Sequence, residues 1–178
     1  MSLPWAREVL DFWFGHADDW WSGAAEFDAE IRERFLPLWQ SERGRQVIDF
    51  LYSEEDALAA VILFDQFPRN MFRGHADQFA TDHMALAIAK NAVELDYDHG
   101  MDKGQRIFLY MPFEHSEDMK DQLQSLLLFT ALGDEEMLLY ARKHHDVIER
   151  FGRFPHRNAV LGRKPTAMEL AAGDVVPW

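Results

Sequence analysis

Apolar residues recur at helical spacing wherever this chain offers a run long enough to test, and the strict alternation of a half-buried strand is absent. Phe27, Ile31, Phe35 and Leu38 fall on one face of a helix, as do Met119, Leu123, Leu126 and Leu127 further on. Boundary signals agree with the periodicity. Ser53 precedes Glu54, Glu55 and Asp56; Gly133 and Asp134 separate two periodic segments; Ser116 stands before Glu117 and Asp118; Thr166 with Glu169 has the spacing of a capping box. The pattern predicts helices near 4–14, 24–40, 54–66, 79–95, 103–111, 116–132, 134–151 and 166–172, with Pro68 and Pro112 at helix ends. Short connections make neighbours pack as antiparallel hairpins, and no linker divides the chain, so one all-α domain over 1–178 is expected.

The aromatic load, 14 Phe and 6 Trp, suits packing between helices, starting with Trp5, Phe12, Trp13, Phe14, Trp20 and Trp21. Arg7, Glu8 and Asp11 interrupt the N-terminal apolar run, and no stretch approaches the roughly 18 apolar residues of a membrane span, so a cytoplasmic protein is expected. A net charge of -13 opposes nucleic acid and anionic membrane as partners. That charge is unevenly spread. From Arg142 to Lys164 seven basic residues face two acidic ones, a local +5 that leaves -18 to the rest.

Three strings hold side chains that helix geometry alone does not explain. In Asp65-Gln66-Phe67-Pro68-Arg69-Asn70, Asp65 continues the stripe of Leu58, Val61 and Ile62 and so points inward, where it needs a partner such as Arg69. In Phe113-Glu114-His115-Ser116-Glu117-Asp118, Glu114 and His115 lie just ahead of a helix start that attracts anions, and a Glu beside a His tunes its proton affinity. In Arg150-Phe151-Gly152-Arg153-Phe154-Pro155-His156-Arg157-Asn158, Gly152 and Pro155 take the chain out of the helix and are expected to expose guanidinium, imidazole and amide donors. His144, on the stripe of Ala141 and Ile148, reads as a semi-buried core histidine. No His-Glu-x-x-His spacing, Gly-rich phosphate loop or nucleophile elbow occurs, and with no cysteine neither a metal nor a cofactor is expected.

These strings, together with Asp-Phe-Trp-Phe-Gly (11–15), Phe-Arg-Gly (72–74), Phe-Ala-Thr-Asp (79–82) and Tyr-Met-Pro ahead of Phe113, resemble a bacterial family known as a domain of unknown function and grouped with TPR-like helical proteins. The resemblance runs from about Val9 to Leu170 and implies a TPR-like stack of antiparallel helical hairpins with irregular repeats. Periodicity reaches only as far as helices, since the chain lacks the roughly 34-residue repeat of a regular array. The family carries no known activity that would assign catalytic residues.

The expected function is binding of a small anion or an acidic peptide end in a cleft at helix ends, by Arg69, Asn70, Arg153, His156, Arg157 and Asn158 with Glu114 and His115 beside them. The alternative is a hydrolase or transferase for an anionic substrate, with Glu114 or His115 as acid-base group and the arginines stabilising charge. A third reading makes the strings a structural network joining hairpins.

Overall fold

A computed structural model describes residues 2–178, and among them every regular element is helical. The chain forms two compact units, Met1–Leu109 and Tyr110–Trp178, with the boundary inside one helix.

The first unit holds α1 (Ala6–Gly15), α2 (Ala25–Glu42), α3 (Glu54–Val61), α4 (Phe67–Met71), α5 (Asp82–Glu94) and the start of α6 (Lys103–Glu114). Its centre is α3, which starts as its sequence says: the Ser53 hydroxyl accepts from the Asp56 N–H, and three acids in the first turn suit the helix dipole. From Asp56 onward α3 is wholly buried, and Ala57, Ala59 and Ala60 let α1 and α5 pack closely against it. Rings fill the remaining space. Trp13 meets Phe67 and Phe108 edge-on at centroid distances of 5.8 and 5.3 Å, and Phe35 lies 4.5 Å from Phe67. Each such buried side chain contributes about 1.5–3 kcal/mol by leaving water. On α2 the buried stripe is Phe27, Ile31, Phe35 and Trp39, with Trp39 in the place expected for Leu38.

Pro68 does not end the helix. Residues Ile62–Gln66 widen into a π-turn in which the Phe67 N–H reaches back to the Ile62 carbonyl, and α4 continues beyond it with Pro68 in its first turn. The wider turn makes room for a ring that would otherwise collide with the preceding turn. It also frees carbonyls, which find side chains instead: the Thr81 hydroxyl donates to Phe64 O at 2.7 Å, and an Arg69 guanidinium N–H to Asp65 O at 2.6 Å. Pro112 likewise sits inside α6, which runs on to Glu114.

The second unit contains the end of α6, then α7 (Met119–Leu132), α8 (Glu135–Phe151) and α9 (Ala167–Ala172). Gly133 adopts a left-handed φ of 70° and Asp134 caps α8 by accepting from the Met137 N–H, so α7 and α8 form the expected antiparallel hairpin. The Thr166–Glu169 capping box is present as predicted. Asp118, not Ser116, caps α7; the Ser116 hydroxyl instead donates to Asp121 at 2.7 Å. The face of α7 also departs from expectation. Asp121, Gln122, Ser125 and Phe129 are buried, while Leu123 and Leu127 of the anticipated core stripe are 50% and 66% exposed. Val147, Ile148 and Phe154 form one buried apolar cluster of this unit, flanked by Met119, Phe151 and Val175.

Candidate functional site

The chain leaves α8 at Gly152, whose φ of 71° suits a residue without a side chain, and the string that follows is clasped by carboxylates. Arg153 binds Glu169 with two N–H groups at 2.7 and 2.8 Å, and Asn158 donates to the same carboxylate at 3.1 Å. Arg163 holds Glu117 at 2.7 and 3.0 Å, and Glu117 also accepts the Phe154 N–H at 2.7 Å. The string is therefore not an exposed row of donors: Phe154, Arg157 and Asn158 are buried, because the forked ion pairs that satisfy it draw it inward. Hydrogen bonds from Arg153, opposed by burial and helped by the Thr166 N–H and Asn158, take the Glu169 carboxyl down to about 2. Burial pushes the Glu117 carboxyl upward, but Arg163, the Phe154 N–H and the charge of Arg157 outweigh it and hold it below its usual value.

Glu114 and His144 face each other inside this unit. His144 Nδ1 lies 3.1 Å from Glu114 Oε1 and 2.9 Å from the Tyr140 carbonyl, and both residues are buried. Two acceptors at one nitrogen place the ring proton on Nδ1 and leave Nε2 with the lone pair. Burial first, then the charge of His115, pushes the imidazole down to about 3; Arg157 and His156 push the same way and the Tyr140 carbonyl opposes them. The ring is thus neutral near pH 7. Around it stand His115, centroid to centroid 6.1 Å away, and Phe154 at 5.5 Å. Arg157 donates to the His115 carbonyl at 3.0 Å with its guanidinium 4.5 Å from the Phe154 ring centroid, and His156 packs against Phe154 and Trp178.

The remaining predicted residues lie in the first unit. Arg69 grips Asp82 with two N–H groups at 2.8 and 3.0 Å and reaches Asp65 at 3.2 Å, which supplies the partner that buried Asp65 requires. Asn70 donates at 2.8 Å to Asp28, which Arg73 holds through two further bonds.

Sequence reading passed over the acids that hold these groups, Glu117, Glu169, Asp82 and Asp28, and over His144 as the partner of Glu114. His144 carried a signal in its place on the α8 stripe. Glu114 was singled out beside His115, but nothing in the sequence pointed to its pairing with a residue 30 positions later. Sequence reading also missed a shallow cavity of about 410 Å³ in the first unit, lined by Arg7, Asp11, Phe14, Glu55, Asp102 and Gln105 among others. Asp11 and Phe14 belong to one of the recognised strings, whose aromatic residues had suggested packing alone. On the outer face of α8, His145, Asp146 and Glu149 bring potential metal-ligand atoms within 4.8 Å of one another, all solvent-accessible. Among the described residues no helix is long and apolar enough to cross a membrane.

Residues 9–172 match the model of a family described as bacterial protein of unknown function, DUF924. The chain is also similar to a solved protein of unknown function from Agrobacterium tumefaciens, ATU0120, with 38% identity over 94% of this chain and 95% of that one and a TM-score of 0.88. No curated protein sequence matches it.

Proposed function

This chain belongs to the DUF924 family of bacterial proteins of unknown function, and we propose that its second unit binds a small anionic ligand, such as phosphate or the carboxylate of an acidic peptide end, through His115, His156 and Arg157. The observation that carries this reading is the grouping of these side chains: the His115 ring lies 6.1 Å from that of His144, the His156 ring 5.6 Å from that of Phe154, and Arg157 bonds the His115 carbonyl with its guanidinium 4.5 Å from the Phe154 ring centroid. Arg153 and Asn158 serve as supports, since both are committed to Glu169. A TPR-like stack that collects ligand groups at helix ends, in a cytoplasmic protein, is the setting this reading assumes.

A second reading rests on the Glu114–His144 contact. A carboxylate on Nδ1 orients a neutral imidazole with Nε2 as the acceptor, the geometry of a general base; with its proton affinity pushed down to about 3, the ring acts as one only if the bound anion raises that affinity toward neutrality. In a hydrolase or transferase acting on the bound anion, Glu114 would orient, His144 would take the proton from the attacking group, and Arg157 would balance developing charge.

Thermal-shift and calorimetric titrations with phosphate, sulfate and succinate test the first reading. A ligand at 100 times its dissociation constant adds about 2.7 kcal/mol of stability, and the gain should vanish in Arg157→Gln and His156→Ala. Absence of stabilisation by every anion would remove it. If anions bind, turnover of nitrophenyl phosphate or ester probes by the wild type but not by His144→Gln would select the second reading.

A further inference from the structure

Helix α7 packs with its polar side inward. Asp121, Gln122 and Ser125 are buried with Phe129, while Lys120, Leu123, Leu127, Thr130 and Ala131 form an exposed stripe along the opposite side. The buried polar groups are held by the chain around them: Gln122 Nε2 donates to the carbonyls of Glu114 and Ser116 at 2.7 Å each, and Asp121 accepts from Ser116. These bonds fix the rotation of α7 about its axis, so the two leucines cannot turn inward without breaking them. A helix that leaves two of its leucines on the surface while burying an amide, a hydroxyl and a carboxylate presents an apolar stripe for something to cover.

We propose that this stripe is the contact between two copies of the chain, packed through antiparallel α7 helices about a two-fold axis near Leu127. Three features favour a second copy over another partner. Charge is the first. Residues 1–109 carry 20 Asp and Glu against 10 Lys and Arg, whereas residues 110–178 carry 11 against 8. Two copies repel each other least through the second unit, which contains α7. The second feature is self-complementarity. With the axis at Leu127, the Leu123 of each copy meets the small Ala131 of the other, and the two Leu127 side chains meet each other, which is large against small in an isologous contact. The third is the pairing of the ends. Lys120 lies about 10 Å from Leu127 toward the start of α7. Asp134, Glu135 and Glu136 close the other end of the helix. The two-fold therefore sets each exposed lysine against the acidic turn of the other copy.

Sedimentation equilibrium on the full chain across the micromolar range tests this. The expected result is a reversible species of twice the 20.8 kDa chain mass. Leu127→Glu should weaken it by about 30-fold or more, since the change removes a central apolar contact and adds a buried charge. Lys120→Glu should weaken it less, and Lys120→Glu combined with Glu135→Lys should restore it. Circular dichroism and the thermal midpoint of each diluted variant show that the monomer still folds. Because the chain has no cysteine, Leu127→Cys gives an independent readout. It should crosslink under mild oxidation, while Glu94→Cys in the first unit should not. A monomer at every concentration overturns the proposal, as does a dimer that survives Leu127→Glu or crosslinks equally through Glu94→Cys. A wild type that stays monomeric and pairs with a different protein through α7 overturns the choice of occupant.

Discussion

The two units handle buried polarity in different ways. In the first, buried and half-buried carboxylates are closed off by arginines, side-chain amides, hydroxyls and a backbone donor. Asp65 has Arg69 and Gln66; Asp28 has Asn70 and Arg73; and fully buried Asp56 accepts from the Leu3 N–H and the hydroxyls of Ser2 and Ser53. In the second, arginine forks hold Glu117 and Glu169, and the side chains of one helix, Gln122 Oε1 and Ser125 Oγ, are buried with no hydrogen-bond partner, where the first unit has Trp13 Nε1 alone among the described residues. The same guanidinium–carboxylate chemistry closes a π-turn in one unit and clasps the string that leaves α8 in the other. Fully matched networks hold a fold. Partly matched ones, which cost stability, occur where something else is gained.

Three measurements press on that contrast, the largest effect first. Asp65→Ala leaves Arg69 with part of its partners gone and a cavity beside α5, and should cost about 3 kcal/mol or more in urea unfolding. A loss under about 1 kcal/mol would mean that the first unit does not depend on its closed pairs.

The second measurement follows pH. The folded pKa of His144 is about 3, below the ordinary value of 6.5, so between these values the unfolded chain binds more protons than the folded one. Its contribution is therefore complete above pH 6.5 and is lost as pH falls toward 3, at up to about 1.4 kcal/mol per pH unit. Unfolding free energy should drop across that window, and His144→Gln should flatten this part of the profile. Equal slopes in the two proteins would show that His144 is not held neutral by its surroundings.

The third and smallest effect is Ser125→Ala. Removing a buried hydroxyl that makes no hydrogen bond should change stability by less than about 1 kcal/mol, toward greater stability. A clear loss would show that Ser125 is matched in solution and that the two units resemble each other more than their geometry suggests.

Much of the architecture was legible. Ser53, Gly133, Asp134 and the Thr166–Glu169 box lie where their helices begin or end, because caps act on backbone groups within one turn. Asp65 was legible as an inward carboxylate for a similar reason, its partner Arg69 being one helical turn away. The passage through Pro68 was not, since it relies on Thr81, which is 17 residues from the carbonyl it satisfies. The orientation of α7 was hidden as well. Leucines at 123, 126, 127 and 128 spread over much of its circumference, so periodicity supports more than one buried face. Gln122 chose between them by reaching carbonyls at the end of α6.

The candidate site was read as residue types and misread as exposure. Arg153, His156, Arg157 and Asn158 were identifiable as unusual, but a string of donors leaving a helix is exposed or buried according to which acids come to meet it. Glu169 meets Arg153 from 16 residues away, and Glu117 meets Phe154 and Arg163 from 37 and 46.

Most helices, the caps at Ser53, Asp134 and Thr166, the turn at Gly133 and the burial of Asp65 were in the sequence, because each depends on hydrogen bonds and apolar spacing within a few residues. Which face of α7 is buried, how the helix continues through Pro68, and the pairing of Glu114 with His144 were decided by the tertiary structure. A buried charge or amide is stable only with a specific partner, and here those partners arrive from distant segments whose positions packing alone determines.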